Sequence, residues 1–180
     1  MTRAFKSALA CAAILVAGQA AFADAARYRS PAGSFTIPSG WKAEKAADVT
    51  GDAQLAVRLV APPSPRRPIV SATVLVSARR IGEAALESQA GSWHAAHLRN
   101  RVAWGMRSAG GLPRDLLRID GRRAIRYRDQ VGSALGASEQ TFTCLIASGH
   151  LACVVISAEP SARDAVDQLS AKLLASLSLR

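Results

Sequence analysis

The chain has 180 residues, with 23 Lys and Arg against 13 Asp and Glu and a formal net charge of +10. That length suits one domain, and the basic balance points to acidic proteins or anionic surfaces as partners. No apolar run is long enough for a membrane-spanning helix of about 20 residues, and no pair among the few carboxylates stands out for general acid–base work.

The first 23 residues read as a cleaved export signal. Arg3 and Lys6 form a positive start, Ala8 to Val16 an apolar core, and Ala21-Phe22-Ala23 a small-x-small cleavage pattern before Asp24. Cys11 fits a lipoprotein acceptor less well, because Ala8 stands where a large aliphatic residue belongs and the apolar core runs on past it. Cleavage leaves residues 24–180, 157 in number and +8 in charge, expected as a single domain able to bury roughly two-thirds of its unfolded surface. The location expected is periplasmic or secreted, with no transmembrane segment left after cleavage. Nucleic acid is a poor partner for an exported domain.

Downstream, Tyr28 to Trp41 (YRSPAGSFTIPSGW) predicts a turn at Pro31-Ala32-Gly33 and a short strand over Ser34–Ile37, stopped by Pro38-Ser39-Gly40. Leu55–Val60 and Ile69–Ala78 are two further strands of high β-propensity. Between them, PPSPRRP holds four prolines that cannot donate to a sheet ladder, so it predicts a protruding loop with Arg66 and Arg67 at its tip. Those two arginines are candidate docking residues, or ordinary solvated loop residues.

Glu83 to Met106 predicts a helix with Leu86, Trp93, His97 and Trp104 on one face, closed by Gly110-Gly111 and Pro113. Leu116 to Val131 predicts a hairpin around Asp120-Gly121. In its second arm Ile125 and Tyr127 alternate with Arg126 and Arg128, so one face is apolar and the other basic. A Gly-rich connection over residues 131–137 follows.

Next comes TFTCLIASGHLACVVISA. Two apolar, β-rich arms flank Ser148-Gly149, a two-residue hairpin loop. Counting outward from that loop, Ala147 faces His150, Leu145 faces Ala152 and Cys144 faces Cys153. The cysteines land on a non-hydrogen-bonded pair, where Cα atoms lie about 4.5 Å apart, within reach of a disulfide. In an oxidising compartment this pair is a structural staple of about 2–3 kcal/mol. A redox-active dithiol would sit at a helix start, where a thiolate is stabilised. A terminal helix begins near Ser161 and carries Val166, Leu169, Leu173, Leu174 and Leu177.

The cysteine hairpin is apolar on both faces, with Phe142, Ile146, Leu151 and Val155 on one and Leu145, Val154 and Ile156 on the other. Such strands need cover on both sides. The fold class expected is therefore α+β, an antiparallel sheet flanked by helices on both faces in an α/β/α sandwich.

This order of elements resembles the Mog/PsbP-like fold group. The resemblance rests on the SFTIPSGW opening, a hairpin, a helix with aromatics, the Asp-Gly turn with its apolar–basic strand, GHLACVVISA, and a terminal helix ending LLASLSL. The group includes PsbP, Ran-binding Mog proteins and DcrB-type periplasmic proteins. It implies a non-enzymatic accessory, adaptor or binding role, transfers no catalytic residue, and does not have the disulfide as a defining feature.

Sites of chemistry are sparse. No G-x-S-x-G elbow, P-loop or cofactor motif is present, so no catalytic residue and no cofactor are assigned. His94 and His97 are neighbours on the long helix, but zinc needs three or four ligands. His97 is expected to be a half-buried core residue and His94 an exposed neighbour, with no metal bound. The strongest feature is the basic strand. If Arg122, Arg126 and Arg128 share a solvent face, they form a guanidinium ladder needing carboxylates or anions against it. Arg114 and Arg118 lie just upstream. The ladder is a docking surface for an acidic protein or an anionic headgroup, or else an edge strand guarded by charge.

The function expected is an exported, non-enzymatic accessory or binding protein of the cell envelope, acting through a protein partner or an anionic envelope component. A periplasmic immunity or inhibitor protein against a toxin or hydrolase is the first alternative. An enzyme with a site assembled only in space is the second.

Overall fold

The computed structural model describes residues 26–46, 52–63, 69–103, 107–111, 114–133 and 136–180. The leader expected over residues 1–23, the loop tip with Arg66 and Arg67, and Trp104 lie outside the described residues.

In chain order the elements are β1 (Arg27–Ser30), β2 (Gly33–Thr36), β3 (Lys42–Lys45), β4 (Ala53–Val60), β5 (Ile69–Arg80), α1 (Leu86–Ala103), β6 (Arg107–Gly111), β7 (Asp115–Ile119), β8 (Arg122–Ser133), β9 (Gly136–Ala147), β10 (His150–Ala158), α2 (Arg163–Ala175) and β11 (Ser178–Leu179). Single 3-10 turns, Glu83–Ala85 and Pro160–Ala162, lead into the two helices. The first helix begins at Leu86, after the 3-10 turn that takes the expected start at Glu83. The Gly-rich Arg107–Gly111 pairs with β8 as a strand instead of closing the helix.

All pairings are antiparallel. The main sheet runs β3-β4-β5-β10-β9-β8-β6, with β7 on the same flank of β8 as β6; a small sheet runs β1-β2-β11. β8 and β9 continue to Ser133 and Gly136, which face each other, so the expected Gly-rich connection shrinks to two residues between long strands.

Two turns set the register of the centre. Asp120 and Gly121 have φ of 50° and 74°, and Ser148 and Gly149 have 49° and 79°. Two consecutive residues at positive φ make the turn whose twist matches that of paired strands. The second turn places Cys153 opposite Cys144, and the two are joined as a disulfide with Cα atoms 4.1 Å apart.

Helices cover the sheet on both faces, as α+β packing requires. On one, Leu86, Ala90 and Trp93 of α1 pack on Phe142, Cys144, Ile146, Leu151, Cys153 and Val155. On the other, Val166, Leu169, Leu173 and Leu174 of α2 pack on Leu145, Val154 and Ile156, together with Phe35, Ile37 and Leu177 from the small sheet and its flanks. Side chains alternate along a strand, so the disulfide lies on the α1 side. Both cysteines are sealed from solvent.

Candidate interaction site

β8 carries the expected alternation. Ile125, Tyr127 and Asp129 face α1, whereas Arg122, Arg126 and Arg128 face α2. The α2 face is covered. Arg126 is 8% exposed, and its Nη1 donates to Asp167 Oδ2 of α2 at 2.8 Å. Arg128 donates through Nη2 to both oxygens of Asp167, at 3.0 and 2.8 Å, and through Nη1 to Asp115 Oδ2 at 2.5 Å. Glu139 of β9 lies 3.7 Å from Arg128 Nε and accepts from Arg163, at the start of α2. Three guanidinium groups thus meet three carboxylates, and the network is neutral. Arg122 lies apart from it, donating to the Leu174 carbonyl in the last turn of α2 at 3.1 Å and standing 3.9 Å from Asp120. A cation there also complements the helix dipole.

The solvent-facing ladder expected of Arg122, Arg126 and Arg128 is therefore corrected. Their partners are this chain's own carboxylates and helix end. Nor is β8 a guarded edge, since it lies between β9 and the β6 and β7 flank. Burial pulls the Arg126 guanidinium below its ordinary range, with Asp167 opposing the shift. The hydrogen bonds that Arg163 donates to Glu139 push its own pKa up.

A second polar cluster lies under α1. His94 is covered, not the exposed neighbour expected. Its Nε2 lies 2.5 Å from Asp129 Oδ2, so the ring nitrogen donates to the carboxylate, and the ring stacks on Tyr127 with centroids 4.3 Å apart. Asp129 is 2% exposed. His97 Nε2 meets Gln140 Oε1 at 2.9 Å, and Gln140 Nε2 donates to Ser157 Oγ at 3.0 Å. Burial, followed by the charge of Arg101, lowers the His97 pKa to about 4. His150 is separately buried and bonds the Ser77 carbonyl. The three histidines do not converge, and among the described residues no group of three or more His, Cys, Asp or Glu is placed to hold a metal ion.

The surface left for contacts on this flank is the outer side of the β7–β8 hairpin. Pairing places Leu116 opposite Ile125 and Arg118 opposite Arg123, so Leu116, Arg118 and Arg123 all point to the α1 face. Arg114 and Arg123 share one carboxylate, Glu87 of α1, at 3.0 and 3.5 Å. Among the described residues, Arg118 bonds the Gly121 carbonyl of its own turn, at 2.8 Å. Leu116 sits among them, 61% exposed. Burial of Arg126 and the covering of Arg128 leave Arg114, Arg118 and Arg123 as the exposed arginines of this flank among the described residues. The sequence signal for them is the Asp120-Gly121 turn, which fixes which residues lie opposite one another.

No protein-family model matches the sequence, and none of the curated proteins matches it. Solved structures do match in fold. The solution structure of cyanobacterial PsbP (CyanoP) from Synechocystis sp. PCC 6803 is 14% identical, with 87% of this chain and 92% of that chain covered and a TM-score of 0.57. The Ran-binding protein Mog1p of Saccharomyces cerevisiae is 10% identical, with 87% and 95% covered and a TM-score of 0.50.

Proposed function

We propose that this chain, which has the Mog/PsbP-like fold, is an exported accessory protein of the cell envelope that acts by binding and not by catalysis. The observation that carries the reading is the Cys144–Cys153 rung, closed and fully buried at the centre of the sheet. Disulfides of this structural kind belong to oxidising compartments, where the leader pattern of residues 1–23 would deliver the chain. The relatives in fold supply a precedent for contact work, since Mog1p is described as Ran-binding. On this chain the contact surface is basic. Arg114, Arg118 and Arg123 are exposed at one hairpin. There Arg114 and Arg123 share the carboxylate of Glu87 and Arg118 bonds the Gly121 carbonyl, a basic surface that suits an acidic protein or an anionic envelope component. No helix among the described residues is long and apolar enough to cross a membrane, and envelope attachment would come through this surface.

The test is fractionation of the native host followed by N-terminal sequencing. The expected product is periplasmic or secreted, begins at Asp24 and yields no free thiol when unfolded without reductant. Cytosolic protein that retains residues 1–23 and has three reactive thiols, at Cys11, Cys144 and Cys153, would overturn the reading.

A further inference from the structure

We infer that the outer edge of β7 is a strand-addition site for an extended acidic segment of a partner protein. The inference rests on the binding role proposed above and names its site and the chemistry of its partner.

The argument starts from the turn. In a two-residue hairpin the pair flanking the loop exchanges hydrogen bonds, and bonded and non-bonded pairs then alternate. Ile119 faces Arg122 across Asp120-Gly121, so Ile119, Leu117 and Asp115 aim their backbone groups into β8. Leu116 and Arg118 aim theirs away from it. Among the described residues no strand pairs with that side of β7. Two N–H donors and two carbonyls therefore stand in a row, as on a sheet edge open to augmentation.

The same two residues carry the side chains that would select the added strand. Leu116 offers an apolar contact. Arg118 lies directly opposite Arg123 in a non-hydrogen-bonded pair, the closer kind, and like charges so placed repel. Glu87 answers Arg123 and Arg114; among the described residues no carboxylate answers Arg118. An acidic side chain on a neighbouring strand would relieve that repulsion and form a charge-assisted hydrogen bond.

The opposite edge of the sheet provides the contrast. β3 carries Lys42, Glu44 and Lys45 around a single alanine, the pattern of an edge protected from pairing. β7 departs from it by placing an exposed leucine mid-strand. Side chains alternate, so the matching segment has acid, apolar and acid residues on one face, alongside Arg114, Leu116 and Arg118. Carboxylates then approach the guanidinium groups while the backbone completes the ladder.

The probe is the capped peptide Glu-Thr-Val-Thr-Glu, which presents the same face in either strand direction, titrated into the mature protein at low ionic strength and followed by amide NMR shifts. Shifts are expected to centre on Leu116 and Arg118. Three changes should each weaken binding by roughly tenfold or more, the equivalent of losing one charge-assisted hydrogen bond. These are Lys in place of both Glu, Leu116→Pro, and Arg118→Glu. Leu116→Pro removes an outward N–H and no ladder bond, so the fold should be retained. A peptide methylated on every backbone nitrogen should not bind. Equal binding by the methylated peptide overturns strand addition while leaving the basic contact surface of the proposed function intact. Equal binding by the Lys peptide overturns the acidic preference, and no binding by any peptide overturns the inference while fractionation still decides the wider reading.

Discussion

Arg128 Nη2 lies 3.0 Å from Asp167 Oδ1 and 2.8 Å from Oδ2, a two-oxygen contact that joins an inner strand of the main sheet to the terminal helix. Arg126 reaches the same carboxylate at 2.8 Å. One aspartate therefore compensates two largely buried cations. Asp167→Ala should cost about 3–5 kcal/mol, because removing one member leaves buried charge without its partner. The lower end is expected, since Arg128 keeps Asp115 and Glu139. Urea denaturation reads the loss, and a change below about 1 kcal/mol would mean that the contact is solvated like a surface ion pair. Replacing Arg126 with Met and Asp167 with Leu together should cost much less than Asp167→Ala alone, since no orphaned charge is left at Arg126.

The disulfide supports a different prediction. Cys144→Ala combined with Cys153→Ala removes a cross-link that closes a short loop in the unfolded chain, a loss of about 2–3 kcal/mol. The strand register should survive, because it is set by the Ser148-Gly149 turn and by the apolar pairs on both faces. Denaturation midpoints and circular dichroism of the double variant test both parts. An unfolded product would show that the rung specifies the hairpin as well as bracing it.

Acidification should weaken the protein through His97. Its folded pKa is about 4 against an ordinary 6.5, so between those values the unfolded chain binds more protons than the folded one. Stability then falls as pH drops from 6.5 towards 4, by at most about 3 kcal/mol. The wild-type stability curve should slope across that window, and His97→Gln, which has nothing to protonate there, should flatten it. Parallel curves for the two proteins would assign the slope to other groups.

Gly33 offers a steric test. A Cβ built on it would lie 2.6 Å from the Ser178 carbonyl oxygen and 2.8 Å from Leu179 Cδ2, closer than such atoms approach. Gly33→Ala should therefore push β11 off β2, at a cost of about 1–3 kcal/mol from overpacking. Residues 178–180 should become more open to carboxypeptidase, and wild-type digestion rates in the variant would refute the close approach.

Legibility in the sequence followed how local each signal was. The cysteine hairpin could be read because Ser148-Gly149 marks the turn and apolar residues fill both faces. The terminal helix could be read because Val166, Leu169, Leu173 and Leu174 repeat at helical spacing. Arg126 and Arg128 misled because strict apolar–basic alternation looks the same whether the basic side meets water or a carboxylate brought in by tertiary structure. Asp167 stands 41 residues beyond Arg126 in the chain, and no local pattern links them. His94 misled for the same reason, since Asp129 lies 35 residues further on. The short strands β1, β3, β6 and β11 carry little propensity of their own and exist because a neighbour supplies the ladder, as Arg107–Gly111 illustrates.

The seam between the small sheet and the terminal helix governs how the molecule can assemble. Thr36 N–H donates to Ser176 Oγ across 140 residues of sequence, and Leu179 pairs with Gly33 nearby. Entropy opposes closing so wide a circuit until most other contacts have formed. The contacts of the hairpin containing Phe35 are therefore expected to form after those of the cysteine hairpin, whose arms are joined by two residues.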